Sequence, residues 1–218
     1  WHTHADRIVR VSRAWFNPDD EVSLHLGHTA PPVAPVIKSD FPEEVAFSAR
    51  MLESDPLIMR GENKFIEDHF TFADPEILDI FSIEVIEGNG KKALEQSNGI
   101  LISETMAKKY FGNEPVMGED LKMGIAGAEF TVQVQGVFKD FPDNSHFHPT
   151  FLASMQPLVM FFGGQEAFMS NFGWHIFFTY LLLAECVNRQ SFEDKLPTLI
   201  DRHIGQTQAG TPMSAGPK

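Results

Sequence analysis

Residues 130–151 read FTVQVQGVFKDFPDNSHFHPTF. Phe130, Val132, Val134 and then Val137 follow strand alternation, and Gly136 interrupts it where a bulge or a close backbone approach is expected. Pro142-Asp143-Asn144-Ser145 supplies turn residues, after which Phe147 to Phe151 resume an apolar run. Nothing in this stretch is arranged for catalysis. It reads as scaffold: strand, turn, strand.

Upstream, Leu121 to Met123 is expected to pair with Glu129 to Phe138 around Gly124 to Gly127. Ile100 to Ile102 reads as a strand, with Ser103 placed to cap a helix over Glu104 to Phe111 that Gly112 stops. Ile83 to Ile86 reads as a short strand ended by Gly88-Asn89-Gly90. Asp74 can cap a helix over Pro75 to Phe81, since proline is tolerated in a first turn.

The opening of the chain continues the pattern. Arg7 to Arg13 alternates as a half-buried strand. Pro31, Pro32 and Pro35 precede or open a short helix whose apolar face is Val33, Val36 and Ile37. Phe41-Pro42 ends it, because the residue before proline is pushed out of the helical region. Val45 to Leu52 and Leu57 to Arg60 read as strands around Ser54-Asp55-Pro56, followed by Lys64 to Phe72. Downstream come a strand at Thr150 to Ser154, an interrupted helical stretch from Gln156 to Asn171, and Ile176 to Ala184, apolar throughout and expected as a central buried strand. A final helix is expected over Ser191 to Ile204, which Pro197 disturbs unless it falls in the first turn. The fold class is α+β with mostly antiparallel sheet.

Composition narrows the function. The chain has 218 residues, 43% of them hydrophobic and 22% charged, with 17 basic and 30 acidic side chains for a net charge of −13. That balance argues against a nucleic-acid partner, which needs clustered Lys and Arg. Cys186 is the single cysteine, so no internal disulfide and no cysteine-based zinc site can form. The longest apolar run, Ile176 to Ala184, falls short of the roughly 20 residues of a membrane helix. The chain opens on Trp1-His2-Thr3-His4 and is expected to be a piece of a longer protein, with Gln206 to Lys218 a small polar tail.

No G-x-S-x-G elbow, H-E-x-x-H motif or Rossmann glycine triplet is present. Gly88-Asn89-Gly90-Lys91 lacks Walker spacing and no Ser or Thr follows its lysine, so it reads as a polar turn. His146 and His148 project on one face of an extended segment and could share a metal with Asp143 or Asp140, or simply form a structural corner. Met155, Met160, Phe161, Phe162, Phe168, Met169 and Phe172 suit either an adaptable apolar surface or core packing. The expected catalytic, cofactor-binding and metal residues are none.

Several ordered segments resemble one family. Asp6-Arg7-Ile8-Val9-Arg10-Val11 is similar to the opening strand of the extracytoplasmic domain of FtsX/MacB-type ABC transporter permeases. Phe72-Ala73-Asp74-Pro75-Glu76-Ile77-Leu78-Asp79-Ile80-Phe81-Ser82 is similar to its "ADP…FF" segment. Ile100 to Gly112, ILISETMAKKYFG, resembles the "vvIse.lAkkyFG" run, followed by Pro115-Val116-Met117-Gly118. Gly136 to Pro142, with Asn144 to Phe147, completes the signature. The resemblance covers roughly residues 5 to 205 and is nearest to the subgroup common in Bacteroidetes.

That resemblance implies a porter-like α+β subdomain from residues 5–72 and 150–205, an inserted, smaller sabre-like α/β subdomain at 73–149, and a flexible tail at 206–218. It implies a non-catalytic domain on the periplasmic side of the inner membrane that transmits ATP-driven motion. The expected partners are an ABC ATPase reached through the membrane region, a second permease copy and a periplasmic protein. A ligand-sensing receptor ectodomain, with the Met/Phe stretch as its pocket, is the alternative.

Overall fold

The computed structural model describes residues 3–19, 21–125, 127–142, 145 and 147–203. His146, Asp143 and the expected tail at 206–218 lie outside them. The first strands are β1 (Ile8–Val11), β2 (Arg13–Phe16) and β3 (Val22–Leu26). The single strand expected over residues 7–13 breaks at Ser12. Its two halves take different partners further along the chain, and no one strand can follow both.

Helix α1 (Val33–Asp40) follows, with Pro32 at its N-cap position, Val33, Ala34 and Ile37 buried, and its end at Phe41 as expected before Pro42. Then come β4 (Val45–Ser54), β5 (Leu57–Arg60), β6 (Asn63–Ile66) and β7 (Phe70–Ala73). β5 and β6 form a tight hairpin, Arg60 opposite Asn63, with Gly61 at φ 59° in the turn. The strand expected over 64–72 is interrupted because Glu67 turns inward to a buried partner.

Helix α2 (Ile77–Ile80) starts later than Pro75, with Glu76 at the N-cap position and no side-chain cap there. Strand β8 (Val85–Gly88) leads into α3 (Gly90–Glu95), a helix absent from the sequence expectation. Asn89 caps it, accepting from Lys92 N at 3.0 Å. β9 (Gly99–Ser103) is buried throughout, and α4 (Glu104–Phe111) is capped as expected: Ser103 Oγ accepts from Met106 N, and Gly112 stops it at φ 62°.

The remaining elements are β10 (Asp120–Ile125), β11 (Ala128–Phe138), β12 (Phe151–Ser154), α5 (Gln156–Phe161), α6 (Gln165–Ser170), β13 (Phe178–Leu183), α7 (Arg189–Glu193) and α8 (Pro197–His203). The final helix expected over 191–204 is two helices. Pro197 opens the second, where its missing N–H costs nothing.

The fold is α+β with a mixed sheet. The chain divides into two compact units, one of Met51–Gln165 with Thr3, the other of His4–Arg50 with residues 166–203. The chain crosses between them inside β4, and again between Gln165 and Glu166. These borders lie outside the 73–149 span expected for the insert. They do so because β7 pairs with the second half of β4 and also, in parallel, with β12, which keeps all three strands together.

In the unit of residues 51–165, β12 pairs with β9, and β9 runs parallel to β11. β11 pairs along its first half with β10 and along its second with β8. On its other edge β10 pairs with β5, a strand distant in sequence. Phe70, Phe72, Phe138, Phe151 and Ile77 are fully buried in this unit. Each such side chain contributes about 1.5–3 kcal/mol of burial.

Strands β11 and β12, at the two ends of residues 130–151, sit at the middle of this sheet. The register of β11 on β9 shifts between Val134 and Gly136, and Gly136 pairs with Gly88 of β8. A Cβ on Gly136 would lie 2.7 Å from Leu101 Cδ2 and 2.9 Å from Glu87 O. Both readings of that glycine, bulge and close approach, therefore hold. Beyond it, Phe138, Phe141, Phe147 and Phe81 form a chain of ring contacts with centroids 6.2, 5.5 and 5.3 Å apart. This is scaffold, as its composition implies.

In the other unit β13 pairs antiparallel with β1 and neighbours β4. β2 and β3 form a separate two-stranded ribbon. Ile37, Phe41, Val45, Leu181, Phe192 and Leu199 form its core, with Phe41 and Phe192 edge to face at 5.6 Å.

Candidate functional site

Helix α5, Gln156 to Phe161, buries Leu158 and Val159 but leaves Met160 72% and Phe161 61% exposed. Its ending fixes those side chains. Gly163 N donates to Met160 O and Gly164 N to Val159 O, the paired bonds of a Schellman motif, with φ of 91° and 94° at the two glycines. The Gly163-Gly164 pair is therefore a helix stop.

Facing α5 is the β10–β11 hairpin. Met123 and Ile125 stand on one face of β10, two residues apart, and Phe130 stands on β11. Together with Leu52, Phe72, Pro157, Leu158, Phe161 and Phe162 they enclose a cleft of about 170 Å³ lined only by apolar side chains. A wider recess of about 420 Å³ shares Phe130, Pro157 and Phe161 with it and adds Met160, Ser97 and Gln156. The last two are exposed and bring a hydroxyl and a carboxamide to an otherwise apolar surface.

The Met/Phe stretch is thus divided. Phe161 and Phe162 line the cleft and Met160 the wider recess, while Met155 is buried. Phe168 belongs to the core of the other unit, 5.6 Å from Phe177 and beneath the Arg50 guanidinium at 5.2 Å. Met169 meets Arg50 through its sulfur at 3.6 Å. The opposing walls were not singled out from sequence. The alternation of Phe130, Val132 and Val134 already places those side chains on one face, and the Met123/Ile125 spacing is its counterpart across the hairpin.

His148 is half-buried, and among the described residues no three His, Cys, Asp or Glu side chains are grouped to hold a metal. Asp140, the other proposed ligand, is engaged elsewhere: its carboxylate accepts from Thr105 N at 3.3 Å and Thr105 Oγ1 at 2.7 Å, at the start of α4. In the Gly88-to-Lys91 turn, Lys91 pairs with Asp79 at 2.7 Å, which raises its pKa. Asn89 spends its side chain on the α3 cap.

The most unusual electrostatics lie in the unit of residues 4–50 and 166–203. Arg13 is 8% exposed, and its Nε and Nη2 have no hydrogen-bond partner among the described residues. Its Nη1 donates to Phe172 O at 3.3 Å and lies 3.1 Å from His175 Nε2, and its guanidinium lies 4.6 Å from the Trp15 ring centre. Burial lowers the pKa of Arg13 from its ordinary value. Burial first, and the charge of Arg13 second, push His175 down to about 4, so its ring is neutral at neutral pH.

The family model for the MacB-like periplasmic core domain matches residues 2–199. A permease-protein domain from Porphyromonas gingivalis is similar in structure, with a TM-score of 0.78 and 25% identity, over 100% of this chain and 89% of that one. The periplasmic region of MacB from Actinobacillus actinomycetemcomitans gives a TM-score of 0.62 at 14% identity, over 94% of each chain. The extracellular domain of the noncanonic ABC-type transporter YknZ from Gram-positive bacteria gives 0.56 at 14%, over 90% of this chain and 94% of that one. At that identity the last two show a shared fold. No curated protein matches the chain. Among the described residues no helix is long and apolar enough to cross a membrane. With residues 2–199 of its 218 inside the family match, the chain belongs to the MacB-like periplasmic core domains of ABC transporter permeases.

Proposed function

We propose that this domain is a non-catalytic lever that carries nucleotide-driven motion to the periplasmic side of the inner membrane. The division into two compact units carries this reading. The unit of residues 4–50 and 166–203 would be the porter-like part and the unit of residues 51–165 the sabre-like part. Motion would enter through the unit of residues 4–50 and 166–203. It reaches the other unit through the continuous backbone of β4 and the step from Gln165 to Glu166. The drive comes from an ABC ATPase, with a second permease copy and a periplasmic protein as further partners.

The test uses the intact transporter with one cysteine in each unit joined by a short cross-linker. ATP hydrolysis should continue while output stops, and reduction of a cleavable linker should restore output. Full output with the units joined would overturn the lever.

The apolar cleft favours a second reading, in which the unit of residues 51–165 binds a hydrophobic ligand. Ligand sensing then becomes a property of a permease domain in place of a receptor ectodomain.

A further inference from the structure

We infer that the cleft between α5 and the β10–β11 hairpin takes a single short aliphatic chain of a neutral, hydroxyl-bearing amphiphile. This rests on the second reading above. The lining contains only apolar side chains, so an entering group can neither offer nor keep a hydrogen bond there. Cavities of about 150 Å³ with such walls stay dry and accept a six-carbon ring. A cleft of about 170 Å³ therefore matches roughly six carbons.

The rest of the ligand faces the wider recess through the shared walls Phe130, Pro157 and Phe161. There the polar groups are Ser97 and Gln156, both uncharged. Neither recess is lined by a charged residue, so a carboxylate or phosphate head would find no counter-charge there, while its acyl chain would carry the charge to the edge of an apolar cleft. A hydroxyl head can use the Ser97 hydroxyl and the Gln156 carboxamide as donor or acceptor. A peptide strand would bring backbone polar groups that these walls cannot satisfy.

Straight-chain alcohols from butanol to decanol, titrated into the 218-residue chain and followed by methyl NMR, test the assignment. Saturable shifts should appear at Met123 and Ile125, with affinity rising about fourfold per methylene to about hexanol and then levelling off. Hexanoate should bind at least tenfold more weakly than hexanol. Phe161→Ala, a largely exposed position, should weaken hexanol about tenfold without changing the thermal midpoint. Affinity that keeps climbing to decanol, or is indifferent to Phe161→Ala, would mean surface partitioning and would overturn the inference. N-phenyl-1-naphthylamine separates the two levels. If this dye binds in a Phe161-dependent way but no alcohol does, the cleft remains a hydrophobic site and the ligand class is wrong. If neither binds, both fall.

Discussion

The phenol of Tyr110, on α4, donates its hydrogen bond to the buried carboxylate of Glu67, and Lys109 reaches the same oxygen at 2.7 Å. Phe65 covers the group from the side, with the Lys109 ammonium 4.4 Å from its ring centre. This arrangement turns the chain inward between β6 and β7. Glu67→Ala would strand a cation and a phenol, although Lys109 is a third exposed and water recovers part of the loss. The expected cost is about 2–3 kcal/mol, below the usual range for breaking a buried pair. Urea midpoints of the parent and variant chains measure it, and a change below the scatter would remove the pair from the list of stabilising contacts.

The same contact sets an alkaline limit. Burial first, then the bond to Glu67, raise the Tyr110 pKa above its ordinary value. A folded-state pKa above the unfolded one means that the contribution is complete below about pH 10 and is lost as pH rises beyond it. Tyr110→Phe should be less stable than the parent at pH 8, by about 1–2 kcal/mol. The difference should shrink above pH 10, as shown by paired denaturation curves at pH 8 and pH 11.

Arg13 and His175 set an acid limit. His175 is depressed from 6.5 to about 4, so the unfolded chain takes up its proton first. Stability is complete above about pH 6.5 and declines as pH falls toward 4. The ring is only partly buried, and after allowance for solvent the loss is on the order of 1–2 kcal/mol. His175→Gln should flatten the thermal midpoint between pH 7 and 4.5. Arg13→Met should leave stability unchanged or raise it, since a buried cation with unsatisfied donors gives way to apolar packing.

What could be read from sequence divides by the range of the interaction that decides it. The Ser103 cap, the Gly112 stop, the Phe41-Pro42 ending and the strand alternation around Phe130 are set within a few residues, and all were legible. The break at Glu67 was not, because its cause is Tyr110, 43 residues away. α3 was missed since Asn89 between two glycines has the chemistry of a turn, and only the packing of Ala93 and Leu94 makes it a helix. β5 lies beside β10, a choice of partner that no local pattern encodes. The cleft was half legible. Met160 to Phe162 stood out by composition, while the walls from β4, β7, β10 and β11 come together only through that non-local strand order.

Gly136 and Gly88 offer a sharp backbone test. Gly136→Ala should cost about 1–3 kcal/mol through overpacking against Leu101 and the Glu87 carbonyl. Gly88→Ala should cost more, because its Cβ would lie 2.2 Å from Gln135 O and its φ is +83°. Gly112→Ala is the control. It meets nothing within 4 Å and bears only the strain of its backbone, φ +62° and ψ −108°, about 1–3 kcal/mol. A thermal midpoint lowest for Gly88→Ala, the position with both a backbone clash and a positive φ, would bear out the geometry.

The helix stop after α5 ties stability to the cleft. Gly164 has open space around its missing Cβ and a φ of +94°, so Gly164→Ala introduces conformational strain and no clash. The cost should be about 1–2 kcal/mol. It should be local, because the Gly163 and Gly164 amide bonds close only the last turn of α5. Hydrogen exchange at Phe162, Gly163 and Gly164 should therefore accelerate, while amides of β9 and β11 keep their protection. Hexanol should bind more weakly as Phe161 loses its fixed position against Phe162, whose ring centroid lies 5.2 Å away. Slowed or unchanged exchange at those three amides would show that the Schellman bonds do not hold this end of the helix.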